Sequence, residues 1–380
     1  MEIKEQPILD VLIVGGGPAG LAVASKFQGH GLLVHQDREI GRPVRTSGGS
    51  WLSEMRRLGI PERLYHRLSH AKIFSDTREL HLPLEADPVV VLDVTALYQW
   101  LAEASEIEIR CETKFIGVRK TQSGFIATLR GPDRQNYELR ARQIIDASGW
   151  HRAVLSALDL GAPPERRGIG IEYEYPIGAA DPTRGVLFFG RSVPTGYGWA
   201  FPTRAGTIRL GVGVIQPETE VSPKDLMGGL VGSGALARMG IDVPQGYHVN
   251  SGILPSEAFA RQMVFDDVIR VGDSANFATP VLGEGIRHCI EQGWALGEAI
   301  SAGKTEVWQR DVARKFSLRY KLGFAANQRA AGYDAKDWDR SLARMERLPP
   351  AEMTAFLRND FSWSMIARRG ATEIKRKLLG

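Results

Sequence analysis

Hydrophobic residues near the start of the chain fall in short, uninterrupted runs that are separated by glycine. One apolar run covers residues 11–14, a glycine-rich stretch follows at residues 15–20, and a second apolar run covers residues 31–34. Residues 21–27, between them, are mostly apolar and lack proline and glycine. Four-residue apolar runs are typical of strands that are buried on both faces. The pattern therefore predicts a strand, a turn, a helix and a second strand over residues 10–37.

The pattern changes in the middle of the chain. From Thr207 to Val214, apolar residues alternate strictly with polar residues or glycine, which predicts an antiparallel strand with one covered face. Residues 197–201 also have strand composition. Apolar residues recur at helical spacing over residues 93–106 and 286–302, so these segments are predicted helices.

The glycine-rich stretch has the spacing of a dinucleotide-binding turn. Gly15, Gly17 and Gly20 follow an apolar strand and open a helix, with Pro18 and Ala19 between them. One glycine makes the turn, one admits a pyrophosphate and one lets the helix approach the strand. This is the opening βαβ unit of a Rossmann-type domain, and we place all five residues in a cofactor site.

An acidic residue that binds the adenosine ribose is expected about 20 residues further on. Asp37 and Glu39 flank Arg38 in that region. We select Asp37 as the cofactor-binding acid and keep Glu39 as the alternative, because sequence does not fix the register of this loop. The other interpretation is that Asp37 is a solvated carboxylate beside Arg38.

A second glycine-containing block lies far along the chain. Gly272 and Asp273 end an apolar strand, and Gly283, Gly285 and Ile286 open the following helix. Asp273 can accept hydrogen bonds from ribitol hydroxyls, and backbone N–H groups after Gly285 can face the electron-rich edge of a flavin ring. We therefore assign Asp273, Gly283, Gly285 and Ile286 to the cofactor site.

These motifs together resemble those of the FAD-dependent oxidoreductases of the aromatic-hydroxylase fold class. The block at Gly272 and Asp273 matches the strand-end Gly-Asp motif of that class, and residues 146–149 resemble its Asp-Ala-x-Gly turn. The resemblance spans roughly residues 10–300 and implies an FAD cofactor. We also place Gly48, on the loop after the second strand, among the cofactor-binding residues.

The predicted fold class is α/β. A Rossmann-type FAD-binding domain is interrupted by a mixed or antiparallel β-sheet substrate domain and is followed by a helical C-terminal tail. We expect the FAD-binding domain over residues 1–70, 91–160 and 262–303, the sheet domain over 71–90 and 161–261, and the helical region over 304–380.

A narrower resemblance concerns the sheet domain. Tyr197, Trp199, Phe201 and Pro202, followed by the glycine-rich strand at 210–213, are similar to the Tyr-x-Trp-x-Phe-Pro signature of the geranylgeranyl reductase family. A spacing of two puts the three aromatic side chains on one face of a strand, where they suit an apolar substrate. The alternative is that they are ordinary core between sheet and helix.

The resemblance implies that reduced flavin transfers hydride to a carbon–carbon double bond of an isoprenoid or similar apolar substrate. Archaeal members carry a cysteine on the loop after the second strand, where this chain has Thr46 and Ser47. An FAD-dependent monooxygenase or halogenase on the same fold is one alternative, although halogenases have Trp-x-Trp-x-Ile-Pro where Tyr197 and Phe201 stand. A non-catalytic flavin- or isoprenoid-binding protein is another. No catalytic residue follows from the sequence, and the proton donor stays open between Tyr197 and water.

Composition narrows the range of partners. The 380 residues include 48 basic and 44 acidic residues, and a net charge of +4 is too small to indicate a nucleic-acid partner. Cys111 and Cys289 show neither a disulfide framework nor metal-binding spacing, which favours a reducing compartment. His66 and His70, four residues apart in an expected helix, lack a third ligand, so no metal site is predicted.

No apolar run reaches the ~18 residues of a membrane span, and the start of the chain lacks the features of a signal peptide. We therefore expect a cytoplasmic protein. Residues 368–380 carry five basic residues and one acidic residue, a composition that suits peripheral contact with a membrane surface. No second dinucleotide motif follows a strand, so the expected electron donor is NAD(P)H that docks transiently or a small redox protein. The sequence leaves the oligomeric state open.

Overall fold

The structure is a computed structural model that describes residues 7–361, apart from residues 83, 85, 86 and 244. The basic segment 368–380, for which membrane contact is expected, lies outside the described residues. The described chain forms three β-sheets and ten α-helices. The predicted α/β class, with a helical C-terminal region, is confirmed.

The strands, in chain order, are β1 (Leu9–Val14), β2 (Gly31–Val34), β3 (Gly49–Trp51), β4 (Tyr65–Arg67), β5 (His70–Phe74), β6 (Glu79–Leu82), β7 (Val89–Leu92), β8 (Glu108–Arg110), β9 (Lys114–Thr121), β10 (Gly124–Arg130), β11 (Asn136–Asp146), β12 (Arg167–Pro176), β13 (Arg184–Gly190), β14 (Val193–Pro202), β15 (Thr207–Gln216), β16 (His248–Pro255), β17 (Val264–Phe265) and β18 (Val268–Arg270). The helices are α1 (Pro18–Ala24), α2 (Leu52–Arg57), α3 (Val94–Glu103), α4 (Ala153–Ala157), α5 (Pro223–Gly232), α6 (Ala235–Arg238), α7 (Ile286–Ser301), α8 (Thr305–Ala331), α9 (Ala335–Met345) and α10 (Pro350–Leu357).

The eight-stranded sheet contains the strands that the continuous apolar runs predict. β1 pairs in parallel with β2 on one side and with β11 on the other. The central order is β17-β18-β11-β1-β2-β8, and β10 and β9 extend it from β11. Leu12 and Ile13 are fully buried, as a central strand with both faces covered requires. The carboxyl ends of β1, β2, β11 and β18 meet at one edge, where α/β proteins of this kind bind ligands.

The seven-stranded sheet has the order β16-β12-β15-β14-β13-β5-β6. Its neighbours are antiparallel except for the parallel pair β13 and β5, so the sheet is mixed. The apolar residues of β15 pack against Met227, Leu230 and Leu236 of α5 and α6. The expectation that only one face is covered is wrong, because Gly211 on the opposite face is also buried, beneath Trp199.

The C-terminal helices contact both large sheets. Trp308, Phe316 and Tyr320 of α8 pack into the core beside the eight-stranded sheet. Trp338 and Leu342 of α9 pack against the seven-stranded sheet. These helices therefore cover the space between the two sheets.

β3, β7 and β4 form a separate three-stranded sheet. The predicted domain boundary after residue 90 falls inside β7. β5 and β6, which precede it, form the edge of the seven-stranded sheet next to β13. The chain thus changes sheet between β6 and β7, a few residues before the expected boundary.

A buried ion-pair network fastens the end of α10 to the rest of the molecule. Arg358 contacts the carboxylates of Glu54, Asp87 and Asp360. Arg287, in the first turn of α7, lies 3.6 Å from Glu54. Glu54 and Asp87 are both buried. Because a buried carboxylate without its cation is strongly unfavourable, the network makes the docking of α10 part of the fold.

Replacing Arg358 with alanine is expected to lower the free energy of unfolding by about 3 kcal/mol or more, because Asp87 would stay buried without a cation. The matched control is Arg314→Ala, since Arg314 pairs with Asp311 at 2.8 Å on an exposed face of α8. An exposed pair contributes about 0–1 kcal/mol. Urea unfolding followed by circular dichroism measures both variants, and equal losses would contradict the role assigned to the network.

Candidate active site

A cavity of about 1030 Å³ lies where the eight-stranded sheet, the seven-stranded sheet and the C-terminal helices meet. The glycine-rich turn after β1 lines one end, and side chains of β13, β14 and α9 line the other. Ligand sites usually measure about 300–1,000 Å³, so this cavity can hold a large cofactor together with part of a substrate.

The glycine-rich turn presents bare backbone to the cavity. Gly15 has φ +119°, and a Cβ there would overlap the backbone after β11. A Cβ at Gly20 would overlap the Gly15 carbonyl, so Gly20 lets α1 approach β1 and does not itself line the cavity. Apart from its two chain neighbours, no atom of the described residues lies within 4 Å of the Cβ position of Gly17. Gly15, Gly17, Pro18 and Ala19 all line the cavity, an arrangement that fits a pyrophosphate held close to the main chain.

Asp37 lines the cavity, and its carboxylate is already paired. Arg45 donates to its two oxygens at 2.7 and 3.2 Å, and Nε2 of His35 lies 3.5 Å away. Glu39 is not part of the cavity lining and lies 3.7 Å from Arg42. Of the two acids considered from the sequence, Asp37 is the one placed to reach a cofactor.

His35 is a cavity residue that sequence reasoning missed. It directly follows β2, and its ring lies 2.8 Å from the Cβ position of Gly16. Burial lowers the pKa of His35, while Asp37 acts in the opposite direction. The signal that could have found it is its place at the end of the second strand, where a ribose-binding residue is expected.

Asp273 lies in the short 3-10 turn that follows β18 and faces the cavity, half-buried. In the described part of the chain, no donor lies within hydrogen-bond distance of its carboxylate, and burial raises its pKa to about 6. Gly283, Gly285 and Ile286 line the cavity beside it. A carboxylate that can accept further hydrogen bonds suits the ribitol hydroxyl groups of FAD, and the start of α7 beside it suits the edge of the flavin ring.

Of the residues assigned to the cofactor from the sequence, Gly20 and Gly48 do not line the cavity. Gly48, at φ +78°, is not part of the cavity lining. Asp146 is fully buried and accepts hydrogen bonds from the backbone N–H groups of Val154 and Leu155 and from the Ser148 hydroxyl. Its carboxylate therefore shapes the turn whose next three residues do line the cavity.

Tyr197, Trp199 and Phe201 all line the cavity, on the one face of β14 that their spacing predicts. They also belong to the packed core beneath the C-terminal helices. The Tyr197 hydroxyl donates to the Leu282 carbonyl at 2.5 Å, which connects β14 to the loop before α7. The cavity-wall and core interpretations of this strand are therefore compatible.

The Trp199 indole lies flat on the sheet because glycine occupies the positions beneath it. A Cβ at Gly211 would overlap the indole, and Cβ atoms at Gly170 and Gly213 would lie 3.3 and 3.4 Å from it. Gly211 and Gly213 belong to β15, which pairs with β14, and Gly170 belongs to β12 on the far side of β15. The glycine-rich strand of the sequence signature thus makes room for the ring.

A polar row crosses the sheet beside the indole. Trp199, Gly211, Glu172 and Asn250 face one another in register on β14, β15, β12 and β16. The Trp199 indole N–H donates to Glu172 at 3.0 Å, and Nδ2 of Asn250 donates to Glu172 at 3.1 Å. Glu172 and Asn250 are buried and line the cavity. Sequence reasoning missed both, since a single glutamate or asparagine on a strand carries no spacing signal.

Beyond Trp199 the cavity is apolar. We call this part the apolar chamber; its lining includes Ile73, Leu187, Phe189, Ala330, Tyr333, Trp338, Leu342 and Met345. Arg329 of α8 and Arg344 of α9 are exposed and line the same end. Neither arginine forms an ion pair with any acid among the residues that the structure describes. The cavity thus extends from a polar end at the glycine turn to an apolar end with two cations at its rim.

His66 and His70 lie on β4 and β5, so the expected helix is wrong at this point. His66 contacts the Pro182 carbonyl and His70 lies 2.9 Å from Asp181. Over residues 7–361, outside the four omitted positions, no three His, Cys, Asp or Glu side chains are grouped to hold a metal ion. Within the same range, no helix is both long and apolar enough to cross a lipid bilayer.

A Rossmann-type nucleotide site that continues into an apolar chamber defines a flavin-dependent oxidoreductase. The chain belongs to the FAD binding domain family, whose profile matches residues 8–308. It is an FAD-dependent oxidoreductase, and the prediction of FAD as its cofactor is confirmed.

Individual similar proteins indicate which flavoproteins this chain resembles. The chain is similar to digeranylgeranylglycerophospholipid reductase 3 of Methanosphaera stadtmanae, with 25% identity over 337 residues and 83% of each chain covered. Its fold is similar to that of a geranylgeranyl bacteriochlorophyll reductase-like protein from Thermoplasma acidophilum, with a TM-score of 0.80, 20% identity and coverage of 92% of this chain and 95% of that chain. A p-nitrophenol 4-monooxygenase from Pseudomonas putida shares the fold at a TM-score of 0.63, 17% identity and 98% coverage of each chain. The resemblance to geranylgeranyl reductases is confirmed.

Replacing Asp273 with asparagine is expected to weaken FAD binding about 10- to 100-fold, since a hydrogen bond to a charged acceptor contributes about 1.5–3 kcal/mol. Wild-type affinity should also fall as the pH drops through about 6, because the carboxyl group then gains a proton. Quenching of flavin fluorescence during titration of the apoprotein measures both effects.

The control for this prediction is Asp266→Asn, because Asp266 is an exposed carboxylate 3.4 Å from Lys120 and away from the cavity. It should bind FAD as the wild type does and keep the pH dependence. Unchanged FAD affinity in the Asp273→Asn protein would refute the assignment of Asp273 to the cofactor.

Proposed function

We propose that the protein reduces carbon–carbon double bonds in an isoprenoid or similar apolar chain. The observation that carries the proposal is the continuity of the cavity, which joins the two glycine blocks to the apolar chamber. A long apolar substrate placed there has one segment next to the flavin site and the rest in the chamber. The names of the similar curated relatives, which are digeranylgeranylglycerophospholipid reductases, support the same substrate class.

The apolar chamber suits a hydrocarbon chain on energetic grounds. Ile73, Leu187 and Leu342 are buried and offer no hydrogen-bonding group. Each Å² of apolar surface that a substrate removes from water contributes about 25 cal/mol to binding. The same walls keep water away from the reacting carbon atoms.

Reduced FAD, when bound, supplies the hydride, and the chain binds and orients both reactants. We assign Gly15, Gly17, Pro18 and Ala19 to the pyrophosphate of FAD. Asp37, together with Arg45, is assigned to the adenosine ribose, and Asp273 to the ribitol. Gly283, Gly285 and Ile286 are assigned to the flavin ring. Tyr197, Trp199 and Phe201 are assigned to the substrate.

The loop after β2 takes no part in thiol chemistry. It carries Thr46 and Ser47 where archaeal geranylgeranyl reductases have a cysteine, and the Ser47 carbonyl accepts a hydrogen bond from Arg209 at 3.1 Å. The loop is thereby tied to the seven-stranded sheet. We infer that the role of this loop is to shape the cavity. We also infer that the electrons that reduce the flavin come from NAD(P)H or a small redox protein.

The test is to reduce the FAD-loaded protein with dithionite under anaerobic conditions and to mix it with geranylgeranyl diphosphate alone, with geranylgeranyl diphosphate and O2, and with geranylgeranyl diphosphate, O2 and halide. The proposal expects the isoprenoid to restore the absorbance of oxidised flavin and to gain two hydrogen atoms per double bond, as measured by mass spectrometry. An oxygenated product formed with O2, or a halogenated one formed with O2 and halide, would identify a monooxygenase or a halogenase instead.

Replacing Arg329 and Arg344 together with alanine is expected to raise the KM for geranylgeranyl diphosphate about 10-fold or more, because guanidinium groups bind phosphate oxygens by charge-assisted hydrogen bonds. The KM for the uncharged alcohol geranylgeraniol should not change. Steady-state kinetics with both substrates measure the difference. Arg347→Ala is the matched control, since Arg347 is exposed nearby and does not line the cavity. A similar KM change for both substrates would contradict a headgroup role.

A further inference from the structure

The buried polar row on the cavity wall contains an acid that the assignments above leave unused. Glu172 has 3% of its surface exposed and lines the cavity next to Trp199. Its two carboxyl oxygens accept one hydrogen bond each, from Trp199 and Asn250. Most of the wall around it is apolar, so a carboxyl group at this position requires an explanation.

The charges around Glu172 do not balance if every acid is ionised. Two carboxyl groups, those of Glu172 and Glu174, share one guanidinium group, that of Arg209, which faces them from β15. Nε of Arg209 lies 3.1 Å from Glu174 and 3.8 Å from Glu172. Thr207 also donates to Glu174, at 2.7 Å. Arg209 therefore lies closer to Glu174, and Glu172 is the acid whose negative charge would be less well compensated. A buried acid in that position retains its proton.

The pKa shifts of Glu172 and Glu174 agree with this geometry. Burial raises the pKa of Glu172 and prevails over the opposing effect of Arg209. Burial also acts to raise the pKa of Glu174, but Arg209, Thr207 and Asn250 outweigh it and lower that pKa. Glu174 is therefore the ionised member of the pair. It does not line the cavity, whereas Glu172 does.

We propose that Glu172 is the catalytic acid that donates a proton to the double bond during reduction. This inference rests on the proposed function. It assigns a chemical role to the cavity-wall carboxyl group that accepts a hydrogen bond from Trp199 on the aromatic strand.

The reaction needs such an acid. An isolated double bond has no neighbouring group that can accept the negative charge left by hydride addition, so a proton must arrive with or before the hydride. The π electrons form a bond between the less substituted carbon and the proton of Glu172, and the electron pair of the O–H bond stays on the carboxylate. The more substituted carbon receives hydride from reduced FAD, so the alkene is reduced and the flavin is oxidised by two electrons. Solvent then returns a proton to Glu172.

The surroundings of Glu172 suit both of its charge states. The apolar wall favours the neutral acid before transfer, and the N–H groups of Trp199 and Asn250 together with Arg209 stabilise the carboxylate afterwards. Tyr197 is less suited to this role, because its hydroxyl is already donated to the Leu282 carbonyl and burial raises its pKa.

The test compares Glu172→Gln with Glu174→Gln in the FAD-loaded, prereduced protein. Reoxidation by geranylgeranyl diphosphate is followed by stopped-flow absorbance from pH 5 to 9, and the deuterated product formed in D2O is examined by NMR. The Glu172→Gln protein should react about 100-fold or more slowly, because general acid catalysis contributes about 10²–10⁴-fold. Its residual rate should lack the fall at high pH that the wild type shows as Glu172 ionises.

The Glu174→Gln protein should keep that fall but show it at lower pH, since removal of the neighbouring negative charge leaves Arg209 free to pair with Glu172. Wild-type product should carry deuterium in one configuration at the less substituted carbon, and the Glu172→Gln product should carry it in both. FAD content and reoxidation by O2 should match the wild type in both variants.

Two results would overturn the proposal in distinguishable ways. If the wild type reduces the isoprenoid and Glu172→Gln keeps its rate, its pH profile and a single deuterium configuration, Glu172 is not the donor and the proposed function stands. If the reduced wild type is not reoxidised by the isoprenoid, the proposed function fails, and the role of Glu172 fails with it.

Discussion

The cavity wall that the seven-stranded sheet forms depends on the absence of side chains beneath one indole ring. Gly170, Gly211 and Gly213 leave a flat area on the seven-stranded sheet, and Trp199 fills it. With the ring flat, its N–H reaches Glu172 across an intervening strand. The same orientation leaves room above the sheet, where the C-terminal helices cover the cavity without filling it. A side chain at Gly211, whose Cβ would overlap the indole, would lift the ring and remove both the hydrogen bond and the space.

Sequence patterns predict the parts of this protein that depend on neighbours in the chain. The strand, turn and helix around Gly15 follow from a continuous apolar run beside a glycine motif, and Asp273 follows from a similar strand end. Alternation identifies β15 but not what lies on its glycine face. Glu172 is 27 residues from Trp199 and 78 from Asn250, so the polar row exists only after four strands have paired in register. The spacing of residues along the sequence does not show which strands pair or in which register.

The distribution of charged groups differs between the two ends of the cavity. At the end formed by the two glycine blocks, Asp37 is paired with Arg45, and Asp273 retains the capacity to accept hydrogen bonds. At the chamber end the walls are apolar and the charges stand at the exposed rim. The polar row of Glu172 lies between these regions. Interactions of its charged form are stronger there than at the surface, because the surroundings screen them less.

The network around Arg358 has a consequence for how the chain folds. It joins Glu54, from the beginning of the chain, to a residue that follows the last described helix. Asp87 obtains its cation only when that helix is docked. The helices after residue 304 are therefore not a separable appendage, even though sequence composition sets them apart. They share a core with the eight-stranded sheet, and the last described helix is connected to the first turn of α7 by the hydrogen bond from Arg287 to the Arg358 carbonyl.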